Sequence, residues 1–214
     1  MFTLTSSPSV ACQFIAELRD VRIQQDSMRF RKNMERLGEL LAYEVSKAMR
    51  YEKSSVTTPL GNSETWALSE QPVLATVLRA GLPLFQGFMN FFDRAESAFI
   101  GAYRSTPDAQ YSFDIELNYI AAPNLNNKNL ILIDPMLATG KSIVKAKQAL
   151  LKYGLPKQIH IVAAIASRQG VEYVSAHLPD CHLWVGAVDE EMNHKSYIVP
   201  GLGDAGDLAF GEKL

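Results

Sequence analysis

Apolar residues along this chain recur with two periods, one typical of helices and one typical of buried strands. Steps of three and four predict a helix over residues 26–50, with Asp26 or Ser27 as its N-cap. Its apolar stripe consists of Phe30, Met34, Leu37, Leu41 and Val45. This helix is therefore expected to pack one side against a core.

After this helix, short apolar runs alternate with helical patterns. The predicted strands are Val73–Leu78, Ser97–Tyr103, Tyr111–Ile120, Leu130–Ile133 and Ile159–Ala166. The further predicted helices are Leu82–Phe92, Ile143–Tyr153 and one that starts at Gln169. Strands that alternate with helices indicate parallel βαβ units, so we predict an α/β fold with a central, mainly parallel sheet flanked by helices.

One polar segment falls outside this alternation. Residues 53–72 contain the turn signal Pro59-Leu60-Gly61, which favours a β-arm, meaning a hairpin that leaves the core. At 214 residues the chain is long enough for one sizeable core and short for two, so we predict a single domain over residues 1–214.

The composition narrows the classes of function. A net charge of −2 argues against a surface that coats nucleic acid or binds anionic membranes. No apolar run reaches the ~18 residues of a membrane helix, and the start lacks the basic segment of a signal peptide. Cys12 and Cys181 lie far apart, which favours free thiols over a disulfide. We expect a cytoplasmic protein that binds neither nucleic acid nor membranes.

The stretch Asn129–Ser142, NLILIDPMLATGKS, ends like the P-loop of nucleotide triphosphatases. That loop needs a glycine five positions before Gly140, and Pro135 stands there instead. Because proline has no N–H and a fixed φ, a P-loop nucleotidase or kinase is excluded. What remains is a strand, an acid at Asp134 and a glycine turn that opens a helix.

This smaller loop suits a sugar phosphate. A helix N-terminus offers free N–H groups and about half a positive charge, so the backbone of residues 138–142 and the hydroxyls of Thr139 and Ser142 suit a phosphate monoester. Gly140 permits close approach, and Asp134 can accept hydrogen bonds from two vicinal ribose hydroxyls. A capped strand–helix turn with a structural aspartate is the open alternative.

The C-terminal stretch of residues 197–211, YIVPGLGDAGDLAFG, carries four glycines, which do not suit a helix or strand interior. We interpret it as backbone pressed against a ligand, because backbone N–H and C=O groups can read the edges of a flat polar heterocycle. Asp204 or Asp207 can hold a magnesium-bound water or orient an attacking nitrogen. A loose tail with solvated acids is the alternative.

Arginines follow two of the predicted strands. Arg79 and Arg104 join Asp134 at strand ends, and ligands of parallel sheets bind beyond the carboxyl ends of the strands. An arginine fork holds phosphate through bidentate bonds, whereas the alternative is a surface ion pair of about 0–1 kcal/mol. We interpret the basic cluster at residues 29–32 as a solvated helix face.

Together these motifs resemble the uracil phosphoribosyltransferases, a family of type I phosphoribosyltransferases. The resemblance rests on LIDPMLATGKS, VLRAGL, GAYRS and YIVPGLGDAGD, and extends to LRD, MRFR and LAYE nearer the start. It implies the type I phosphoribosyltransferase fold and an enzyme that converts uracil and 5-phosphoribosyl 1-diphosphate to uridine monophosphate and diphosphate, with Mg²⁺ as cofactor. It also implies a homodimer with the 53–72 arm across the interface, and GTP is a candidate effector.

The resemblance further implies roles for individual residues. Arg79 and Arg104 would hold the diphosphate, and Arg104 and Asp204 are the candidate catalytic residues. The ribose and its 5′-phosphate would be held by Asp134, Pro135, Met136, Leu137, Ala138, Thr139, Gly140, Lys141 and Ser142. Within a base-recognition loop over residues 192–211, uracil would be bordered by Ile198, Gly203, Asp204 and Ala205. The metal would reach the site through diphosphate, ribose hydroxyls and water, near Asp204, with no direct protein ligand assigned.

The sequence departs from the family motifs at several positions. Lys141 replaces the second glycine of ATGGS, Arg168-Gln169 replaces Pro-Glu, Leu208 replaces a basic residue, and no acid follows Arg104 directly. We expect Lys141 to be tolerated provided that its position keeps a helical φ. The other departures concern affinity and allosteric control, and they leave the reaction class unchanged.

No histidine stands out as a base for uracil N1. We interpret His160, His177 and His182 as structural, and His194, next to the C-terminal loop, is the remaining candidate. Two other functions stay open: a phosphoribosyltransferase for another base, and a pyrimidine-sensing RNA-binding regulator on the same fold. The regulator would need a basic face, which the net charge does not favour.

Overall fold

The structure, a computed structural model, describes residues 1–104 and 115–212, with the backbone alone for residues 102–104 and 115–116. Within this part the strands are β1 (Phe2–Thr3), β2 (Tyr51–Thr58), β3 (Gly61–Leu68), β4 (Val73–Leu78), β5 (Glu96–Arg104), β6 (Ile115–Ala121), β7 (Asn129–Ile133), β8 (Met136–Leu137), β9 (Gln158–Ser167), β10 (Cys181–Asp189), β11 (Glu191–Met192) and β12 (Ile198–Val199). The α-helices are α1 (Val10–Arg19), α2 (Ser27–Ser46), α3 (Leu82–Met89), α4 (Lys141–Leu150), α5 (Arg168–His177) and α6 (Ala205–Phe210).

A central sheet has the strand order β1-β10-β9-β7-β4-β5-β6, and β8 pairs with β9 beside this path. The pairings are parallel except that between β5 and β6, which is antiparallel. The predicted α/β class with a mainly parallel sheet is therefore confirmed.

Two apolar layers cover the sheet, because alternate residues of each central strand face opposite sides. On β7, Ile131 and Ile133 join a core with α1, α2, α3 and α6. Leu130 and Leu132 join a second core with α4 and α5. The near-continuous apolar sequence of β7 reflects this burial on both faces.

The predicted helices and strands are found, and all except Val73–Leu78 have shifted ends. The first predicted helix ends at Ser46, four residues early, and the helix predicted to begin at residue 143 begins at Lys141. The predicted strand Tyr111–Ile120 starts outside the described residues, and its described part is β6. Helices α1 and α6 are additions that the apolar pattern does not predict.

A separate two-stranded sheet, β2 with β3, lies in the polar segment that follows α2. Most of its side chains are exposed, including Leu60 and Trp66. Within the described part of the chain, no helix combines the length and apolar character needed to cross a bilayer.

Candidate active site

The carboxyl ends of three neighbouring strands carry the charged residues that the sequence singles out. Arg79 follows β4, Asp134 follows β7 and Arg104 ends β5. Because β4 pairs in parallel with both β5 and β7, these ends share one edge of the sheet. The structure describes the backbone of Arg104 and not its side chain.

The β7–α4 loop, residues 134–140, is fastened to strand β9. The carbonyl of Pro135 accepts the N–H groups of Ala164 and Ile165 at 3.1 and 3.0 Å. The carbonyl of Ala138 accepts the Ser167 hydroxyl at 2.6 Å. The loop therefore has a fixed backbone before α4 begins.

Asp134 faces the first turn of α4 across this loop. Its carboxylate accepts the Ser142 hydroxyl at 3.4 Å and the Met136 N–H at 3.4 Å. Both distances are long for hydrogen bonds, so these two contacts are weak. The hydrogen bond from the Lys141 N–H to Thr139 Oγ1 is equally long, at 3.4 Å.

Gly140 is the N-cap of α4 and has a left-handed backbone, with φ 75°. A Cβ there would lie 3.0 Å from Val174 Cγ2 and 3.1 Å from the carbonyl of Gly170. The positive φ thus falls on Gly140, and Lys141 is the first helical residue, exposed and without positive φ. Lys141 therefore keeps the helical φ that we required for it to be tolerated at this position.

The β4–α3 turn lies directly against the end of β7. A Cβ on Gly81 would come within 2.1 Å of Thr76 Oγ1 and 3.4 Å of the carbonyl of Ile133, so only glycine fits here. The Leu78–Arg79 peptide is cis. Arg79 projects from this turn, and its guanidinium donates to Asp207 Oδ1 at 3.3 Å and to the carbonyl of Gly211 at 3.1 Å.

The C-terminal loop, residues 192–211, ends in helix α6, which corrects the sequence interpretation. Gly206 was expected to be unsuited to a helix, yet it lies in the first turn of α6. Asp204 is the N-cap, and its Oδ1 accepts the N–H groups of Gly206 and Asp207 at 2.8 and 3.0 Å. Such a cap stabilises a helix start by about 1 kcal/mol.

Helix α6 packs against other elements at this edge of the sheet. A Cβ on Gly206 would lie 3.8 Å from Cβ of Ala80, the residue after Arg79. Arg31 donates to the carbonyl of Ala209 at 2.7 Å. The prediction of a solvated face is therefore wrong for Arg31, which holds α6 against α2.

Two residues that the sequence did not single out, Arg19 and Asp189, hold the loop at Gly201. The Arg19 guanidinium donates to both oxygens of Asp189 at 2.7 and 2.8 Å, and to the carbonyl of Gly201 at 3.0 Å. The Gly201 N–H donates to Asp189 Oδ2 at 2.9 Å. Only the LRD motif at residues 18–20 pointed to this region, and it indicates no partner.

A cavity of about 460 Å³ lies between this loop and the segment that joins α1 to α2. Gly203, Asp204 and Asp207 form one wall, and Gln24 and Ser27 form part of the other. Asp204 therefore borders open space as well as capping α6.

The histidines lie away from these strand ends or on the surface. His160 is fully buried near the start of β9, where its Nδ1 accepts the Trp184 indole N–H at 3.1 Å. Burial, with His182 nearby, lowers the pKa of His160 to about 4. His194 is exposed in the turn between β11 and β12. Among the described residues, no three acidic, histidine or cysteine side chains form a metal cluster.

Comparison with known proteins shows to which family the chain belongs. The sequence profile of the family described as uracil phosphoribosyltransferase matches residues 5–212. The chain belongs to the uracil phosphoribosyltransferase family. A uracil phosphoribosyltransferase from Porphyromonas gingivalis is 52% identical over 212 residues, which cover 99% of this chain and 98% of the relative.

Solved structures support the family's fold. The AQ2163 protein from Aquifex aeolicus matches with a TM-score of 0.85 and 31% identity over 96% of each chain. A hypoxanthine phosphoribosyltransferase from Staphylococcus aureus shares the fold alone, with a TM-score of 0.50 and 10% identity over 76% of each chain. The resemblance and the type I phosphoribosyltransferase fold predicted from the motifs are both confirmed.

The structure shows the contacts of two residues that depart from the family motifs. Arg168, in place of the usual proline, begins α5 and forms an exposed ion pair with Glu190 just after β10. Leu208 packs against the first core and lines the cavity.

Proposed function

We propose that this chain transfers the 5-phosphoribosyl group from 5-phosphoribosyl 1-diphosphate to uracil, giving uridine monophosphate and diphosphate. The observation that carries the proposal is the meeting of the β7–α4 loop, the β4–α3 turn and the Asp204-capped helix at one sheet edge, in a chain of this family. The family assignment disfavours a phosphoribosyltransferase for another base and an RNA-binding regulator.

The donor's ribose and 5′-phosphate fit the β7–α4 loop. Asp134 accepts hydrogen bonds from the two ribose hydroxyls in place of its long contacts to Ser142 and Met136. The phosphate lies at the N-terminus of α4, where free N–H groups and the helix dipole favour an anion. Lys141 is exposed at this terminus and adds a cation beside the phosphate.

The diphosphate leaves toward Arg79 and Arg104. Displacement at the anomeric carbon breaks the bond to diphosphate while the ribose gains oxocarbenium character, so negative charge grows on the leaving group. Arginine forks aimed at that charge stabilise it where it develops. Arg79 is exposed, so it can exchange Asp207 for the diphosphate.

Uracil lies against the backbone of Ile198, Gly203, Asp204 and Ala205. Backbone N–H and C=O groups have fixed directions, so they discriminate the edges of the pyrimidine ring. N1 of uracil attacks the anomeric carbon and loses its proton. His194, the histidine of this loop, is exposed, and orientation of the two substrates supplies much of the acceleration.

The acidic side chains fit a magnesium ion that arrives with the donor. Magnesium is usually held by one or two carboxylates together with substrate phosphates and waters, and Asp134 and Asp204 are the carboxylates at this sheet edge that would meet that need. When bound, the ion neutralises charge on the departing diphosphate.

Three further parts of the proposal concern the compartment, the oligomeric state and an effector. Cys12 and Cys181 are free thiols, which fits a reducing compartment such as the cytoplasm. The exposed hairpin β2–β3 fits an arm that packs on a second copy, since an isolated two-stranded hairpin is marginal in water. GTP stays a candidate effector, to be tested by adding it to the turnover assay.

Turnover of uracil and 5-phosphoribosyl 1-diphosphate with Mg²⁺ tests the reaction, with Asp204→Asn and Arg104→Ala as variants. Asparagine caps a helix as well as aspartate does, so Asp204→Asn keeps α6 and removes only the charge. We expect losses on the order of a hundredfold or more in both variants, and none in Asp93→Asn, an exposed acid elsewhere. Wild-type turnover of another base in preference to uracil, or salt-sensitive RNA binding without turnover, would contradict the proposal.

A further inference from the structure

Gly201 is a constrained point of the C-terminal loop. Its φ is 55°, and a Cβ there would lie 2.2 Å from the carbonyl of Ile198, so only glycine fits. It follows the cis Val199–Pro200 peptide and precedes Leu202, which is buried in the first core. Its conformation therefore sets the direction in which the chain runs from Ile198 to Gly203 and Asp204.

One ion pair binds both polar backbone groups of Gly201. Asp189 Oδ2 accepts its N–H and Arg19 donates to its carbonyl, while the guanidinium and carboxylate bind each other through two bonds. Asp189 is only 7% exposed. Charge-assisted bonds in such a sheltered place are short and directional, so the pair tolerates little movement of Gly201.

The two charged residues are themselves held by the core. Asp189 ends strand β10, in register with Ser167 at the end of β9. Arg19 is the last residue of α1, a helix that buries Ala11, Ile15 and Leu18. The pair therefore fixes the bend at Gly201, between β12 and α6, relative to the sheet and to α1.

We infer that Arg19 and Asp189 are positioning residues for uracil recognition. They fix Gly201 so that the backbone of Ile198, Gly203 and Ala205 presents its donors and acceptors to the base. This inference rests on the proposed function of the C-terminal loop. It assigns no contact between the pair and either substrate.

Asp189→Asn tests the inference with the smallest change of shape. An amide offers one acceptor oxygen where the carboxylate offers two, so it cannot serve both the guanidinium fork and the Gly201 N–H. We expect KM for uracil to rise on the order of ten- to a hundredfold, since a loop that has lost its fixed position must be ordered when the base binds, which costs affinity. KM for 5-phosphoribosyl 1-diphosphate should stay within about twofold, because the β7–α4 loop is untouched.

A second variant and a matched control separate positioning from general stability. Arg19→Lys keeps the charge but loses the fork, and we expect the same selective rise in KM for uracil, of smaller size. Glu17→Gln is the control on the same helix: Glu17 binds Asn33 of α2 at 2.8 Å and does not contact the loop. It should leave both KM values unchanged.

Hydrogen exchange of the apo protein gives a readout without turnover. Amides of residues 198–206 should exchange faster in Asp189→Asn than in wild type, while those of β9 stay protected. Unchanged exchange with unchanged KM for uracil would overturn the inference, and so would equal rises of both KM values. If the wild type does not use uracil, the proposed function fails, whereas the exchange measurement still decides whether the pair holds the loop.

Discussion

At the scale of single residues, the charges around this sheet edge have two kinds of environment. Asp189 is buried in a complete set of bonds, whereas Lys141 is exposed at the start of a helix. A cation at a helix N-terminus opposes the helix dipole and costs about 0.3–1 kcal/mol. Lys141 is therefore unfavourable for the empty protein, and we propose that an anion bound there offsets this cost.

Lys141→Ala should increase stability and weaken binding of the donor. We expect the variant to unfold at a slightly higher urea concentration, and KM for 5-phosphoribosyl 1-diphosphate to rise about three- to tenfold, with kcat little changed. Lys147→Ala, in the last turn of the same helix, is the control and should not raise KM. A variant that binds the donor as tightly as wild type would show that Lys141 does not contact the phosphate.

At the scale of elements, close backbone approaches position the loops. Gly140 and Gly170 bring the starts of α4 and α5 together: a Cβ on Gly170 would lie 2.3 Å from the carbonyl of Ala138. Ser167 bridges the same two segments by donating to that carbonyl and accepting the Gly170 N–H at 2.8 Å. The shape of the β7–α4 loop thus depends on α5 as well as on its own sequence.

Gly140→Ala should disturb this arrangement. A left-handed φ alone costs alanine about 1–2 kcal/mol, and the contacts with Val174 and Gly170 add to it. Gly61→Ala is the control, because Gly61 also has a positive φ, 155°, but has open space around it and lies in the exposed hairpin away from the sheet edge. Urea unfolding should show a larger loss for Gly140→Ala, which alone should also weaken donor binding. Equal losses in the two variants would contradict the role of close packing.

The sequence predicts the elements better than it predicts their contacts. Central strands such as β7 are found because burial on both faces leaves a continuous apolar run, and Asp134 and Gly140 stand out through their order along the chain. The pair of Arg19 and Asp189 is missed because its members lie 170 positions apart. Helix α6 is missed because it is short and contains Gly206, a residue that is unfavourable in helices. Its start also depends on the cap at Asp204.

At the scale of the whole molecule, the two ends of the sheet differ in content. The carboxyl end carries the loops of the candidate active site, whereas the amino end contains His160 and the ion pairs of Glu96 with Lys128 and Glu70 with Lys157. The amino end should therefore influence global stability more than catalysis.

His160 predicts a pH dependence of folding. Its pKa is lowered from 6.5 to about 4 by burial, so between these values the unfolded chain binds a proton that the folded chain does not. The free energy of unfolding should thus fall as pH falls, by about 2 kcal/mol between pH 7 and pH 5. Urea titrations should show a smaller fall in His160→Gln, and an identical fall would contradict the assignment.

The exposed hairpin predicts self-association. Trp66 is 64% exposed and Leu60 fully exposed on an isolated two-stranded sheet, and apolar surface of this kind marks contact sites. Sedimentation should show a dimer that Trp66→Asp weakens. Phe91→Asp, an aromatic of 50% exposure outside the hairpin, should leave the dimer intact. A monomeric wild type would refute the proposed arm.

The contact of Arg79 with Asp207 and Gly211 has a consequence for the order of events in a catalytic cycle. If diphosphate binds this guanidinium, as proposed, α6 loses its hydrogen bonds from Arg79 at the same time. Two partners that compete for one group are coupled negatively, and the coupling free energy is reciprocal. A docked α6 then lowers the affinity for diphosphate by the same factor by which diphosphate loosens α6. Docking of α6 after a new nucleotide has formed would thus help to expel the leaving group.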